Sequence, residues 1–251
     1  MKKFLGKRVL LPMVALVVVM SMAIGLAACG GSTSHDTMTV SGFTVAFNAS
    51  RNFVTTMTMN YGDGTATATI TRNGDRLRVL SQWVYDGDAG SEETIITRSG
   101  NRVTRYFRHS EENNNAWDVD TMTIPSGQTW ESLVDVFADR AIFTVAMAAN
   151  WVAHATLEHN YVLSEDTVTS ERDDTFDDLG FDERIISVET MRAGATLVLA
   201  ENGTMTITGT FVTESRVYHD NVLDWEEVTA SNNVAVIALG NAPTITAPTV
   251  A

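Results

Sequence analysis

From Phe53 onward, apolar and polar side chains alternate in short runs, and turn-forming residues separate one run from the next. The first run covers residues 53–61 and places every second residue from Phe53 to Tyr61 on one face of a strand. Similar runs follow at 65–71, 76–85, 93–98, 102–108 and 117–124. The turn Asn73-Gly74-Asp75 contains the Asn-Gly pair that strongly favours a tight hairpin. The pattern therefore predicts an antiparallel meander of five or six strands.

The spacing of apolar residues becomes helical in mid-chain. Leu133, Val134 and Phe137 lie on one face when the segment is drawn as a helix, and apolar residues continue at this spacing beyond them. We expect a helix over residues 130–150, with residues 151–159 either continuing it or beginning another.

Extended segments are expected again in the second half of the chain. They are residues 160–169, 185–191, 195–200, 204–213, 222–228 and 233–239. The heavily acidic stretch 171–183 is expected to be a loop, and a proline-punctuated tail follows Gly240.

An antiparallel sheet of this size has to bury its apolar face against another layer. The sequence therefore predicts an α+β fold that is mostly β: a strongly curved antiparallel sheet (a half-barrel) with one or two mid-chain helices covering the concave face. A sheet covered in this way leaves an apolar hollow that a ligand can occupy. We assign residues 42–251 to this single β-rich domain.

The first 28 residues have the three parts of a secretory signal. A basic start with Lys2, Lys3, Lys7 and Arg8 precedes an apolar stretch, and small residues lead up to Cys29. The order Leu-Ala-Ala-Cys at 26–29 resembles the lipobox of bacterial lipoproteins. This resemblance implies cleavage before Cys29 and a diacylglyceryl group on its thiol.

The same leader predicts where the protein works. Residues 29–41 become a lipidated cysteine and a flexible tether, and the domain is extracytoplasmic. It is expected to be held on the outer face of the plasma membrane, or in the periplasm or at the outer membrane if the envelope is Gram-negative. The alternative is an uncleaved transmembrane helix, because about 18 apolar residues can span a bilayer.

Charge and cysteine usage narrow the classes of function. The chain has 17 basic and 31 acidic residues, for a net charge of −14, and four of the basic residues lie in the leader. Such an acidic domain is repelled by nucleic acid, so we expect no nucleic-acid partner. Cys29 is the only cysteine, so its lipidation leaves no thiol for disulfides or metal binding. We expect a monomer.

The remaining chemistry-bearing residues form no convincing site. His154 and His159 lie five apart, which does not suit two metal ligands on one helical face. The acidic stretch 171–183 lacks the ligand spacing of a calcium-binding EF-hand loop, although calcium binding there stays open. We find no serine nucleophile motif and no phosphate-binding loop, so we expect neither an enzyme nor a metal or cofactor.

The leader, the meander, the mid-chain helices and the closing Gly240…Pro243-Thr244-Ile245…Pro248 together resemble the lipoprotein-carrier superfamily. Its members include the periplasmic lipoprotein chaperone LolA and the mycobacterial lipoproteins LppX and LprG. The resemblance implies a half-barrel with helical lids that holds acyl chains in its hollow.

Under this resemblance, six inward-facing residues would line the cavity. They are Met57, Met59, Leu77, Val79, Phe107 and Phe137. Methionine suits such a pocket because its side chain is flexible. The alternative is that these residues simply fill a core.

Two classes of function therefore remain. The first is a lipoprotein that binds or carries a lipid or other apolar ligand in the cavity. The second is a non-enzymatic structural or interaction module of the cell envelope, with a filled core and an outer face that engages a protein or polysaccharide. An enzyme whose site the sequence does not reveal is a third and weaker hypothesis.

Overall fold

The computed structural model describes residues 37–110, 115–137, 140–178, 181–219, 222–240 and 242–249. The predictions for the signal sequence and Cys29 lie outside the described residues.

The described chain contains three helices and thirteen strands. The helices are α1 (Val40–Ala49), α2 (Trp130–Phe137) and α3 (Arg140–Ala148). The strands are β1 (Asn52–Tyr61), β2 (Gly64–Asn73), β3 (Arg76–Tyr85), β4 (Asp88–Ser99), β5 (Arg102–His109), β6 (Asp118–Thr123), β7 (Trp151–Ala153), β8 (Asn160–Leu163), β9 (Thr167–Asp178), β10 (Phe181–Met191), β11 (Thr196–Ala200), β12 (Thr204–His219) and β13 (Val222–Leu239).

All thirteen strands belong to one antiparallel sheet. The main order is β6-β5-β4-β3-β2-β1-β13-β12-β11-β8-β7. The sheet forks at β12, because the first part of this long strand pairs with β11 and its second part pairs with β10, which in turn pairs with β9. The sheet is open, and its first six strands form the predicted meander. The predicted fold class, mostly β with a curved antiparallel sheet and few helices, is confirmed.

The meander forms because each tight turn reverses a strand without shifting its alternation. Phe53 on β1 lies opposite Arg72 on β2, which lies opposite Leu77 on β3. Gly74, in the predicted Asn-Gly turn, has φ of +60°, a conformation that glycine adopts without steric cost. The hairpin therefore keeps every second residue of β1 to β3 on the same face.

We call the face that carries Phe53 and Leu77 the inner face, because the helices pack on it. One hydrophobic cluster lies between the helices and this part of the sheet. It consists of Phe43, Phe47, Phe53, Ile70, Leu77, Val79, Ile96, Val103, Ile124, Trp130, Val134, Phe143, Ala146, Met147, Leu163, Met191, Ala195, Leu197, Leu199, Met205, Ile207, Phe211, Ala235 and Ile237. The opposite side is called the outer face.

Helix α1 was not predicted from the sequence. Thr39 caps it by accepting a hydrogen bond from the Gly42 amide, at 3.1 Å. The ring of Phe47 packs edge-on against Phe53 and Phe143, with centroids 5.1 and 6.4 Å away. The helix begins at Val40, within the stretch 29–41 that was expected to be a tether.

The prediction of a single helix over residues 130–150 was partly wrong. Two helices, α2 and α3, occupy this stretch. At the start of α2 the Ser132 amide donates a hydrogen bond to the Thr129 hydroxyl at 3.1 Å, as is typical of an N-cap. Residues 151–159 neither continue α3 nor form a new helix. Trp151 begins β7, because its backbone pairs with Leu163 of β8.

The acidic stretch 171–183 is not a loop, contrary to prediction. Most of it belongs to the hairpin of β9 and β10. Arg184 donates two hydrogen bonds to the carboxylate of Asp173, at 2.7 and 2.6 Å, and so offsets part of the acidic charge on these strands. The segments 222–228 and 233–239, predicted as two strands, form the single strand β13 because β12 pairs along its whole length.

The outer face is stabilised by a buried carboxylate and by the C-terminal tail. Glu93 is 5% exposed and lies between Arg78 and Arg108, whose Nε atoms are 2.6 and 2.9 Å from its oxygens. The side chain of Arg76 donates to the backbone carbonyl of Ile245, a buried residue of the tail. The proline-punctuated tail is therefore packed against the sheet.

None of the three helices in the described ranges is long and apolar enough to cross a membrane.

Candidate functional site

Five of the six predicted cavity residues share the inner face. On β1, Met57 lies opposite Ala68, and Met59 lies opposite Ala66. On the other side of β2, Val79 on β3 is opposite Thr94 on β4, which is opposite Phe107 on β5. Leu77 precedes Val79 by two residues and therefore has the same orientation. The side chain of the sixth residue, Phe137, lies outside the described residues.

These five residues lie in two different environments. Leu77 and Val79, which are 0% and 5% exposed, belong to the hydrophobic cluster beneath the helices. Met57 and Phe107 are half-buried and lie outside that cluster, as does the buried Met59. The inner face therefore has a filled part and a second part around Met57 and Met59 on β1, whereas Phe107 lies four strands away on β5. Whether any of the five contacts a ligand stays a prediction.

The second part of the inner face is concave. β1 and β10 are separated by β13 and β12, so in a flat sheet their backbones would lie about 14 Å apart. Burial, and in second place the carboxylate of Glu189 on β10, raise the pKa of Tyr61 on β1 to about 12. The long side chains of Tyr61 and Glu189 therefore approach each other across β13 and β12 on the inner face.

A group of polar side chains lies in this concavity. The Tyr61 hydroxyl is 3.4 Å from the sulfur of Met59, and Met59 lies directly opposite Asn233 on β13. Across the concavity, the hydroxyl of Thr169 donates to a carboxylate oxygen of Glu189 at 2.9 Å. We call these four polar residues, Tyr61, Asn233, Glu189 and Thr169, the inner polar group.

Burial also raises the pKa of Glu189 above the ordinary value of a glutamate, although the bond from Thr169 and the charge of Arg172 oppose this shift. Burial raises a carboxyl pKa because it disfavours the charged form. Glu189 thus takes up a proton at a higher pH than a solvated glutamate would.

The sequence analysis missed the inner polar group, although one signal was present. In β10, Glu189 lies two residues before Met191, which is fully buried in the hydrophobic cluster. The alternation of a strand puts both on the same face.

Three buried side-chain atoms in the described part of the chain have no hydrogen-bond partner. They are Thr55 Oγ1, Trp130 Nε1 and Asn233 Oδ1. Thr55 lies between Ile70 and Ile237 in the filled part of the inner face. Asn233 is 3% exposed and belongs to the inner polar group, so its unpartnered oxygen lies in the second part.

An aromatic pair lies farther along the inner face. Trp83 on β3 lies opposite Gly90 on β4, and a Cβ atom at Gly90 would lie 2.5 Å from the Trp83 ring. The ring is also 5.5 Å from the imidazole of His109. Glycine at position 90 therefore lets the indole ring lie flat against the sheet.

The two histidines discounted as metal ligands lie in the segment between β7 and β8, outside any helix. His154 Nδ1 is 3.3 Å from the amide nitrogen of Thr156, and His159 Nδ1 is 3.0 Å from the backbone carbonyl oxygen of Met38. Within the described ranges, no three His, Cys, Asp or Glu side chains are grouped so as to hold a metal ion.

Comparison of the chain with protein-family models, with curated proteins and with solved structures gave no match. The resemblance to the lipoprotein-carrier superfamily is therefore a hypothesis that rests on sequence pattern.

Proposed function

We propose that this protein is a membrane-anchored extracytoplasmic lipoprotein that binds a lipid or other apolar ligand on the inner face of its sheet. The observation that carries the proposal is the pairing of large, flexible side chains with small ones in the second part of that face. Met57 and Met59 lie opposite Ala68 and Ala66 on β2.

This pairing suits a ligand better than it suits a core. A closely packed interior has large and small side chains that interdigitate and leave few voids. Ala68 beside Met57, both partly exposed, leaves a shallow surface, and the flexible thioether side chain can adjust to the shape of a ligand that covers it. Met57 is half-buried, so this surface is accessible for an acyl chain to cover.

The proposed anchor gives the binding surface its setting. Two acyl chains on Cys29 hold a protein on a membrane far more firmly than one, because each buried methylene contributes about 0.8 kcal/mol. A short tether keeps the domain beside the bilayer, which raises the effective concentration of lipid at the inner face. A protein that takes up or passes on lipids gains directly from this arrangement.

The anchor is tested by expressing the whole chain and its Cys29→Ser variant in a bacterial host fed with labelled palmitate. We expect label in the wild-type protein, which fractionates with membranes. The variant should carry no label. An unlabelled wild-type protein would contradict the lipoprotein assignment.

Ligand binding is tested by extracting the purified protein with organic solvent and identifying released lipids by mass spectrometry. We expect about one lipid per protein molecule, and a large decrease for Met57→Trp, which fills the surface. Thr58→Trp is the matched control, because Thr58 has the same partial burial on the same strand and the opposite orientation.

The same extraction addresses the alternative of a structural or interaction module. That hypothesis is favoured by the filled part of the inner face, where Leu77 and Val79 belong to the hydrophobic cluster. A wild-type protein that carries no lipid when purified from a membrane-bearing host would support it and contradict the carrier proposal.

A further inference from the structure

One half of strand β13 has a neighbouring strand on only one of its two sides. β12 pairs with β13 as far as the pair formed by His219 and Val222. On the other side, β1 pairs only with residues 232–239, and then the chain turns back into β2. Among the residues that the structure describes, no strand pairs with 222–231 on this second side. We call this side of residues 222–231 the free edge of β13.

The hydrogen bonds of β13 show which of its backbone groups point to the free edge. On the β12 side, the amide of Leu239 donates to the Gly203 carbonyl at 3.0 Å. On the β1 side, the amide of Gly240 donates to the Asn52 carbonyl at 2.8 Å. Successive residues of an antiparallel strand bond to opposite sides, so the even-numbered residues of β13 point to the β1 side. Beyond the end of β1, the amide and carbonyl of Val228 therefore point to the free edge.

The side chains along the free edge are exposed on both faces of the sheet. Alternation from the buried Ala235 places Trp225 on the inner face and Val228 on the outer face. Trp225 is 45% exposed and Val228 is 63% exposed. An unpaired edge with exposed apolar side chains is a template on which another extended chain can form backbone hydrogen bonds. In such strand addition the backbone gives affinity and alternate side chains give specificity.

Acidic side chains surround the free edge on the inner face. The same alternation places Glu227 on this face. The pKa of Tyr85, the last residue of β3, is raised mainly by its hydrogen bond to Asp63, and burial and the nearby charges of Glu227 and Asp86 raise it further. Asp63 and Asp86 lie in the turns that follow β1 and β3. A strand added to the free edge would continue the line of β1 beyond its turn, so its side chains would lie close to these carboxylates.

The charges at the free edge also select among occupants. If two copies paired their free edges, the carboxylates of Asp224, Glu226 and Glu227 would lie close to those of the second copy, and like charges on adjacent strands are destabilising. Arg216 forms an ion pair with Glu226 at 2.8 Å, so it does not offset the charge of Glu227. An extended chain with basic side chains has the complementary charge.

We propose that the free edge of β13 is a docking site for an extended basic segment of a partner protein, which joins the sheet as a further strand. The backbone of this segment pairs with Val228 and the neighbouring even-numbered residues. Its basic side chains face Glu227 on the inner face, and its apolar side chains pack beside Val228 on the outer face. The site does not include Met57 or Met59, so it stands independently of the proposed lipid binding.

The test uses three fluorescent peptides of about ten residues each. In the first peptide lysine alternates with valine, and in the second glutamate replaces each lysine. The third is the lysine peptide with N-methylated valines, which keeps its charge but loses the donors that would face Val228 in an antiparallel pair. The whole chain is purified in detergent, and binding is followed by fluorescence anisotropy at low ionic strength. We expect the first peptide to bind at least about tenfold more tightly than the other two.

Val228→Pro removes an amide proton that points to the free edge and keeps the bonds to β12, because proline is tolerated on the solvent side of an edge strand. The lysine peptide should then bind about tenfold more weakly. Val119→Pro is the matched control on β6, the edge strand at the other end of the meander. The Ile124 amide donates to the Asn101 carbonyl, so by alternation the Val119 amide points away from β5. Val119 is 46% exposed, and this variant should bind like the wild type.

Glu227→Gln tests the charge without changing the backbone and should weaken binding of the lysine peptide about two- to threefold. Circular dichroism reports whether each variant folds. If Val228→Pro does not fold, the N-methylated peptide still tests backbone pairing on the wild-type protein.

Four results would overturn the proposal. Equal binding of the lysine and glutamate peptides would exclude a basic partner. Equal binding of the lysine peptide and its N-methylated form would show a general attraction to an acidic surface. An equal effect of the two proline variants would exclude a site specific to β13. If sedimentation shows that the wild-type protein self-associates and that Val228→Pro abolishes this, the occupant of the edge is a second copy.

Discussion

The guanidinium of Arg72 on β2 lies 2.7 Å from the carboxylate of Glu131 on α2 and ties the helix to the inner face of the sheet. The Arg72 side chain is 1% exposed, whereas that of Glu131 is 42% exposed. Arg72 also donates to the backbone carbonyls of Ser50 and Gly74, each at 3.4 Å. A buried charge is thus neutralised by a carboxylate at the start of a helix, where negative charge is also favoured by the helix dipole.

Glu131→Ala should destabilise the protein by about 2 to 4 kcal/mol, because it leaves the buried guanidinium without a counter-charge. Arg72→Met should cost less, since methionine fills much of the same volume and leaves no buried charge. Both free energies of unfolding are measured by urea denaturation. The exposed pair Arg105 and Asp120 is the control, because Asp120→Ala should cost less than about 1 kcal/mol. If Glu131→Ala loses no more stability than Asp120→Ala, the burial of Arg72 does not matter.

Glu189 should make the protein less stable as pH rises. Its pKa is raised by burial, so the folded state holds the proton more tightly than the unfolded state. The stability that this group contributes is complete below the unfolded pKa and is lost as pH rises through the folded pKa. Each unit of upward shift corresponds to about 1.4 kcal/mol. Glu189→Gln cannot lose a proton and should therefore gain stability relative to the wild type between pH 4 and pH 8.

An acidic residue on the same hairpin gives the opposite sign and is the control. The hydrogen bonds from Arg184 lower the pKa of Asp173, so the stability that it contributes is present above the unfolded pKa and is lost as pH falls. Asp173→Asn should lose stability relative to the wild type as pH rises towards and through the ordinary aspartate pKa of 3.8, with little further change at higher pH, and salt should weaken the effect because the pair is exposed. A Glu189→Gln curve parallel to that of the wild type would contradict a raised pKa.

The meander and the inner-face assignment of its residues could be predicted because local pattern determines them. Met57, Met59 and Tyr61 alternate with threonine and asparagine, and glycine-containing turns separate the strands, so no distant contact is needed to orient them. Helix α1 could not be predicted in this way. Its stability comes from Phe43 and Phe47, which pack against residues distant in sequence, as helices in proteins commonly do.

The inner polar group shows more clearly that local sequence pattern cannot predict contacts between residues distant in sequence. Tyr61 and Glu189 lie 128 positions apart in the sequence, and the order of strands β1, β13, β12 and β10 brings them into electrostatic contact. Alternation predicted a face for Tyr61 but not what the opposite wall of the concavity carries. In the hairpin that holds Glu189, the extended segment 185–191 was predicted, but the acidic stretch 171–183 was predicted to be a loop. Paired arginines such as Arg184 allow strands to carry this dense acidic charge.

The two parts of the inner face should respond differently to truncation. Leu77→Ala should destabilise the protein by about 2 to 5 kcal/mol, because it leaves a cavity in the hydrophobic cluster. Met57→Ala should cost clearly less, since Met57 is half-buried and outside the cluster. Urea denaturation of the lipid-free protein measures both values. Equal losses would mean that Met57 packs as an ordinary core residue.

A close approach between β12 and the turn before β11 depends on glycine. A Cβ atom added at Gly209 would lie 2.6 Å from the Cβ of Ala195, which is 3% exposed. Gly209→Ala should therefore destabilise the protein by about 1 to 3 kcal/mol through overpacking. Ala195→Gly removes the clashing atom, so the double variant should be more stable than the sum of the two single changes predicts, by about 1 kcal/mol or more.

Gly62→Ala is the control for this series. Apart from its neighbours in sequence, no atom in the described part of the chain lies within 4 Å of a Cβ added at Gly62, so this change should be neutral or stabilise the protein slightly by restricting the unfolded chain. The free energies of unfolding of all four variants are measured by urea denaturation and compared with a common dependence on urea concentration. Strict additivity of Gly209→Ala and Ala195→Gly would show that the sheet relaxes at Gly209 and that the contact with Ala195 does not determine the choice of glycine there.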